Sequence, residues 1–374
     1  MKRTILSVGL ALMATGSCLA QGIVNTPQVS AAASVMQRVG ITDIEINYSR
    51  PSVVSPQGQD RTGSIWGQTV PYGYTNLGFG TATEAPWRAG ANENSVITFS
   101  TDVMIEGKPL QAGTYGFHLA VHEGDKATAI FSRDTDAWGS YFYDKTSDAL
   151  RVDINTQEIP QTNLLTYQFT EVTTDKATLV LDWEKKRFPI QISANTPELV
   201  AAYFRERLKG SDGFNIQSWL TAANYLVQNR IHLDEALQYA NNAVEGQFYS
   251  QKNFNTLSAK AAVLTAMSKH DEASQVMNEA LNSDGVTINN YYAYGRQLIG
   301  NDRDSEALEI FKQANKKWSD HWLAPHGLAR GYSATGDYKN ALKYEKLAYA
   351  KAPENSKGFL EGYLKTLEEG KDFN

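Results

Sequence analysis

"GDYKNALKYEKLAYAKAP", Gly336–Pro353, sets Ala341 and Ala348 seven positions apart, on one face of a helix. Stepping back 34 residues from Ala341 reaches Ala307 in "DRDSEALEIFKQA". A further 34 reaches Ala273 in "HDEASQVMNEA", and a step of 37 reaches Ala236 in "HLDEALQYANNA". Each of these alanines has a second one seven positions on: Ala348, Ala314, Ala280 and Ala243. Small residues recurring at that period let paired helices approach closely, and each pair buries its remaining face on the next.

On these residues the back of the chain resembles a tetratricopeptide array of about four helix pairs. The pattern predicts helical repeats over 195–374, opening at Thr196-Pro197-Glu198 with a hydroxyl cap, a proline in the first turn and an acid behind it. The packing glycine of the repeat recurs as Gly295 and is replaced by Ala329 one repeat later. Tyr292 and His326 are 34 apart, as are Arg296 and Arg330. All four fall on first helices, at positions that face the concave side of such an array. They form a candidate groove for a peptide or carboxylate, with paired arginine hydrogen bonds; the competing reading is two solvated arginines.

Before position 195 the period is two. Ile44, Ile46 and Tyr48 alternate with polar neighbours, as do Tyr115, Phe117, Leu119 and Val121, and Leu165, Tyr167 and Phe169. Leu179, Leu181 and Trp183 share a further face. Turn residues separate the runs. Nine or ten short strands with no amphipathic helix between them predict an antiparallel β-sandwich or barrel over 33–194. The stretch 57–86 has no period and reads as a long ordered loop, with one helical turn at Ser64–Gly67.

The first residues stand apart from the fold. Lys2 and Arg3, an apolar run from Ile5 to Ala14, and Cys18-Leu19-Ala20 before Gln21 make a signal peptide over 1–20 with cleavage after Ala20; 21–32 is an N-terminal tail. The expected location is periplasmic or secreted. Cys18, the only cysteine, is a small residue near that cleavage site in preference to a lipidated one, because Thr15-Gly16-Ser17 lacks a leading apolar residue. The mature chain then has no cysteine for disulfides, zinc-thiolate sites or nucleophilic catalysis. The net charge is -6, and no Lys/Arg cluster marks a nucleic-acid surface. No later run is long enough to span a bilayer as a helix.

"PWRAGANENSVITFS", Pro86–Ser100, puts turn and polar chemistry directly before a strand. Gly90, Asn92 and Asn94 fit a stapled turn. Trp87, Arg88, Asn92 and Glu93 also compose an aromatic plate, a guanidinium, an amide and a carboxylate for a polar ligand such as a sugar or peptide. With "IEINYSRPSV", "IWGQTVPYG", "FSTDVMIEGKPLQAGTYG", "WGSYFYD", "ALRVDI" and "LTYQF" in this order, residues 33–193 resemble the bacterial secreted domain-of-unknown-function family 2911. Some members place the WR-x-GANE element soon after PYG, whereas Tyr74 to Ala85 intervene here. The resemblance carries no activity; it makes Arg50, Arg88, Asn92 and Glu93 candidates for a shared site.

Catalytic sets are weakly supported. His118 and His122 on one strand stand roughly 13 Å apart, too far for one metal ion. Asp134 and Asp136 sit in turn-like "SRDTDAWG". Glu45, Asn47 and Glu93 line one face only if their strands are neighbours. There is no G-x-S-x-G, H-E-x-x-H or phosphate-binding glycine loop. The expectation is an exported, non-enzymatic binding or scaffold protein of the envelope, without metal or cofactor. Its front domain would take a small polar ligand and its repeats a protein or peptide. The alternative is a glycan- or peptide-processing enzyme using Arg88, Asn92 and Glu93.

Overall fold

The structure, a computed structural model, describes residues 27–374; the expected signal peptide over 1–20, with Cys18, and the first part of the expected tail lie outside the described residues. The chain divides at Leu199/Val200 into two compact units.

Among the described residues, the front unit contains ten strands in two antiparallel sheets. Strands β1 (Ala31–Val39), β2 (Thr42–Arg50), β3 (Ser95–Phe99), β4 (Val103–Ile105) and β5 (Lys108–Leu110) come first. Then follow β6 (Gly113–Val121), β7 (Lys126–Ser132), β8 (Asp148–Asn155), β9 (Gln157–Thr170) and β10 (Lys176–Ser193). One sheet has the order β1-β2-β3-β6-β7-β8 and the other β5-β4-β10-β9. Neither closes on itself, so the arrangement is a sandwich rather than a barrel. The alternation explains it: Ile44, Ile46, Phe99, Phe117 and Phe131 point inward from the first sheet and meet Leu165, Tyr167, Leu181, Trp183 and Phe188 from the second. Each such side chain contributes about 1.5–3 kcal/mol by leaving water. Along β10 the inward set is Leu179, Leu181, Trp183 and then Phe188, Ile190, Ile192. The pairing with β9 is irregular at Asp182/Glu184 and Glu184/Lys186, which lets the alternation slip by one and keeps both ends of a long strand on the core.

Residues 51–94 contain neither helix nor full strand, only isolated pairings such as Val54 with Asp60, Trp66 with Val70 and Thr75 with Ala85. The predicted helical turn at Ser64–Gly67 is instead a tight reversal. The Gly67 amide donates to Val70 O and the Val70 amide to Ile65 O, with Gly67 at φ +84°, outside helical space.

Helix α1 (Thr196–Arg207) starts where the period changes. Its Thr196 hydroxyl donates to Thr174 O at 2.8 Å, fastening the helix start to the turn before β10. The back unit then runs in pairs: α2 (Ile216–Asn229) with α3 (Leu233–Glu245), and α4 (Phe254–Ala266) with α5 (His270–Leu281). Next come α6 (Ile288–Ile299) with α7 (Asp304–Lys317), α8 (Leu323–Ala334) with α9 (Tyr338–Lys351), and a last helix α10 (Glu354–Glu368). Ala236, Ala273, Ala307 and Ala341 are each the fourth residue of a second helix, and all eight repeating alanines are buried. Between α6, α7 and α8 the absence of side chains matters directly. A Cβ on Gly295 or Gly327 would stand 2.4 or 2.5 Å from a Phe311 ring atom, and one on Gly331 would press on Leu308 at 2.9 Å and on the ring at 3.1 Å, so Gly295 and Gly327 form the slot in which that ring sits.

Candidate functional site

The polar stretch before β3 is an excursion from the sheet. Trp87 already pairs with β6: its amide donates to Leu119 O (2.9 Å) and the Leu119 amide donates back (2.8 Å). Ser95 resumes the pairing opposite Phe117, two positions along β6, so residues 88–94 are expelled as a loop. Ala89 and Asn92 take left-handed backbone angles, and a Cβ on Gly90 would stand 2.6 Å from Ser95 Oγ. Three donors hold the backbone in place. The Ser95 hydroxyl (3.1 Å) and the buried Tyr167 hydroxyl (2.8 Å) both donate to Ala89 O, and the Trp87 indole donates to Gly90 O (3.2 Å). Asn92 Nδ2 donates to Ser30 O (3.0 Å), and Asn94 Nδ2 to Asp134 O (3.3 Å). Much of the motif's polarity therefore builds its own turn.

What remains lines a cavity of about 410 Å³. Trp87 and Trp183 wall it, with ring centroids 5.8 Å apart and planes at 20°, and Trp66 lies edge-on to both. Arg61, Arg88, Asn92 and Ser140 supply polar groups; among the described residues no Asp or Glu lines it. Arg88 donates to Asn92 O and lies over the Tyr141 ring, 5.2 Å from its centroid, with its guanidinium against Gly139. Arg61 donates through Nε to Val53 O and through Nη2 to Ser52 O. Neither arginine is in an ion pair with a described residue. Behind Ser140, His118 Nδ1 lies 3.0 Å from its hydroxyl. Burial, reinforced by the Arg88 charge, pushes the His118 pKa down to about 3, so the imidazole stays neutral near pH 7. So weak a base orients the hydroxyl rather than activating it.

Of the five front-unit candidates, Trp87, Arg88 and Asn92 meet at this cavity. Arg50 does not: it donates to Leu165 O (2.8 Å) and Thr166 Oγ1 (2.6 Å), tying β2 to β9. Glu93 is exposed, away from the cavity, and takes one 3.4 Å hydrogen bond from Gln28. His122 bonds Thr128 (3.0 Å), Asp134 and Asp136 are exposed in a turn, and no cluster of metal-ligating side chains occurs among the described residues. Arg61, Ser140 and Trp183 had no sequence signal linking them to the motif, although Ser140 lies within "WGSYFYD".

In the back unit three of the four groove candidates come together, but inward. His326 and Arg330 are buried. His326 stacks on Tyr292 (5.6 Å) and its Nδ1 lies 2.8 Å from a buried Glu345 carboxylate oxygen. Arg330 donates to Tyr292 Oη (2.8 Å) and Asn374 Oδ1 (3.1 Å), and lies over Tyr363 and Phe373, 5.2 Å from each centroid. Ser333 donates to Asp372 Oδ1 at 2.6 Å. Residues 372–374 thus cover the side chains read as a groove, and Arg296 is the member left exposed.

No curated protein matches the sequence. Among solved structures, the helical region is similar to MamA, at 16% identity over 44% of this chain and 92% of that one, with a TM-score of 0.33. It is similar to YrrB, a tetratricopeptide protein described as having an unusual peptide-binding site, at 16% identity over 46% and 87% with a TM-score of 0.29. It is also similar to a thermophilic tetratricopeptide protein of Thermus thermophilus, at 14% identity over 46% and 91% with a TM-score of 0.30. In the front unit, residues 30–192 match the model of the family described as "Protein of unknown function (DUF2911)", the family its motifs resemble.

Proposed function

We propose that this chain is an exported, non-enzymatic binding protein of the bacterial envelope. Its sandwich takes a small ligand in the cavity beside the 88–94 loop, and its helical repeats dock a protein or peptide. The observation that carries the reading is a cavity walled by two indoles and furnished with two arginines that have no ionic partner among the described residues. Each guanidinium donates to backbone carbonyls yet keeps its charge uncancelled, which leaves it able to attract an anionic group. The position of Glu93 outside the cavity favours binding over turnover: an enzyme using Arg88, Asn92 and Glu93 needs all three at one reacting centre. Export rests on the pattern of residues 1–20, and docking on the repeats with Arg296 on their surface.

The test is a thermal-shift screen of the full chain against peptidoglycan fragments, peptides and organic acids. A ligand at 100 times its Kd adds about 2.7 kcal/mol to native stability. A front-unit melting shift abolished by Arg88→Gln is expected; shifts indifferent to Arg88, Arg61 and Trp183 would place binding elsewhere. Amino-terminal sequencing of the mature protein should begin at Gln21, and a retained Met1 would refute export by cleavage. Partner capture weakened by Arg296→Ala is expected of the repeats; unchanged capture would refute that surface.

A further inference from the structure

The donors and acceptors around the cavity are unequal. Two guanidinium groups face no carboxylate in the described lining, and the acceptors they do reach, Asn92 O, Val53 O and Ser52 O, are neutral carbonyls. Their charge is therefore solvated or directed to carbonyl oxygen, and not cancelled. Trp183 walls the cavity with its ring and is 2% exposed, its indole N–H being itself shut off from solvent. A neutral sugar offers many hydroxyl donors and calls for carboxylate or amide acceptors. This lining provides no carboxylate; its side-chain acceptors are neutral, the Asn92 amide oxygen and hydroxyls such as Ser52, Thr75 and Ser140. The walls add Pro51, Val54, Val70 and Leu77, an apolar surface for a flat body beside the stacked indoles.

Resting on the reading of this cavity as a ligand site, we infer that its ligand is an organic oxyanion, a carboxylate or sulfonate on a flat apolar body, with Arg61 and Arg88 taking the charge. The stacked indoles take the body. Volume agrees: about 410 Å³ lies within the roughly 300–1,000 Å³ of small-molecule sites.

The experiment titrates the full chain, by tryptophan fluorescence and calorimetry, with 3-phenylpropanoate, 2-phenylethanesulfonate, 3-phenylpropanamide and N-acetylglucosamine. The two anions should bind, separating carboxylate from sulfonate preference, and the isosteric amide should bind about 10-fold or more weakly. Arg61→Gln and Arg88→Gln should each reduce anion affinity about 10-fold and leave the amide unchanged. Arg61→Gln carries the test if Arg88→Gln perturbs the loop. Trp183→Phe trims one indole wall and should weaken the anion and the amide alike by several-fold, with a lowered unfolding midpoint because the ring also belongs to the core; unchanged affinity for both would overturn the indole wall. Equal or tighter binding of the amide, or preference for the sugar, overturns the charge assignment while leaving the cavity a ligand site. Absence of binding by all four at millimolar concentration overturns both.

Discussion

Replacing His118 by glutamine should remove a defined part of the acid sensitivity of the front unit. His118 is 1% exposed, bonded to Ser140 at 3.0 Å and edge-on to Tyr143 at 5.4 Å. Burial first, then the Arg88 charge, lowers its pKa to about 3 from the ordinary 6.5. The unfolded chain therefore binds a proton near pH 6.5 that the folded chain refuses until about pH 3. Across that window the unfolded state carries more protons, so stability falls as pH falls, by about 1.4 kcal/mol per unit. Between pH 7 and pH 5 the loss is about 2 kcal/mol from this residue alone. Glutamine keeps a neutral hydrogen-bonding group near Ser140 but cannot take the proton. All other titrating groups are shared, so the difference between the two pH dependences isolates His118. The assay is native-state hydrogen exchange of β6 amides such as Leu119 in both proteins at pH 7 and pH 5, which reads the front unit separately from the helices. The reasoning is refuted if both proteins lose equal stability, or if the His118 imidazole titrates near its ordinary value in the folded protein by NMR.

Three further outcomes follow from packing. Tyr167→Phe deletes the hydroxyl that donates to Ala89 O and should cost about 1–2 kcal/mol in urea unfolding; no change would mean that Ser95 alone suffices there. Gly295→Ala pushes a methyl into the Phe311 ring and should cost about 1–3 kcal/mol of packing. That exceeds the roughly 1 kcal/mol gained in helix propensity, so the back unit should melt lower, and adding Phe311→Leu should recover part of the loss. Phe373→Ala removes a ring 4.8 Å from Tyr363 and should release residues 372–374, read as faster amide exchange at Phe373 and trypsin cleavage after Lys371; unaltered exchange would show that the ring is not the anchor.

The two-period and 34-residue patterns were legible because each is enforced many times: every inward strand position and every paired alanine obeys the same steric rule. Single-occurrence features were not. The four residues Ser64–Gly67 are too few to separate a helical turn from a reversal, and only the left-handed Gly67 decides it. Trp87, Arg88 and Asn92 were recognisable as a cluster because they are neighbours in sequence. Arg61, Ser140 and Trp183 join them only through the stacking of two sheets, which no local pattern encodes. His326 and Arg330, four apart, share one face of α8, but nothing periodic announces that Asp372, Phe373 and Asn374 lie over it.

The pairing of Thr75 with Ala85 makes a closed loop of the residues between them. Reciprocal hydrogen bonds of 3.1 and 2.8 Å join those two residues, the Ala82 amide pins the far side of the loop to Tyr141 O at 3.0 Å, and Leu77 reaches the cavity wall. The entropic penalty for altering the length of such a loop is small, about 0.6 kcal/mol per doubling. A change of length or composition there reshapes one wall of the cavity from a segment that contributes to neither sheet.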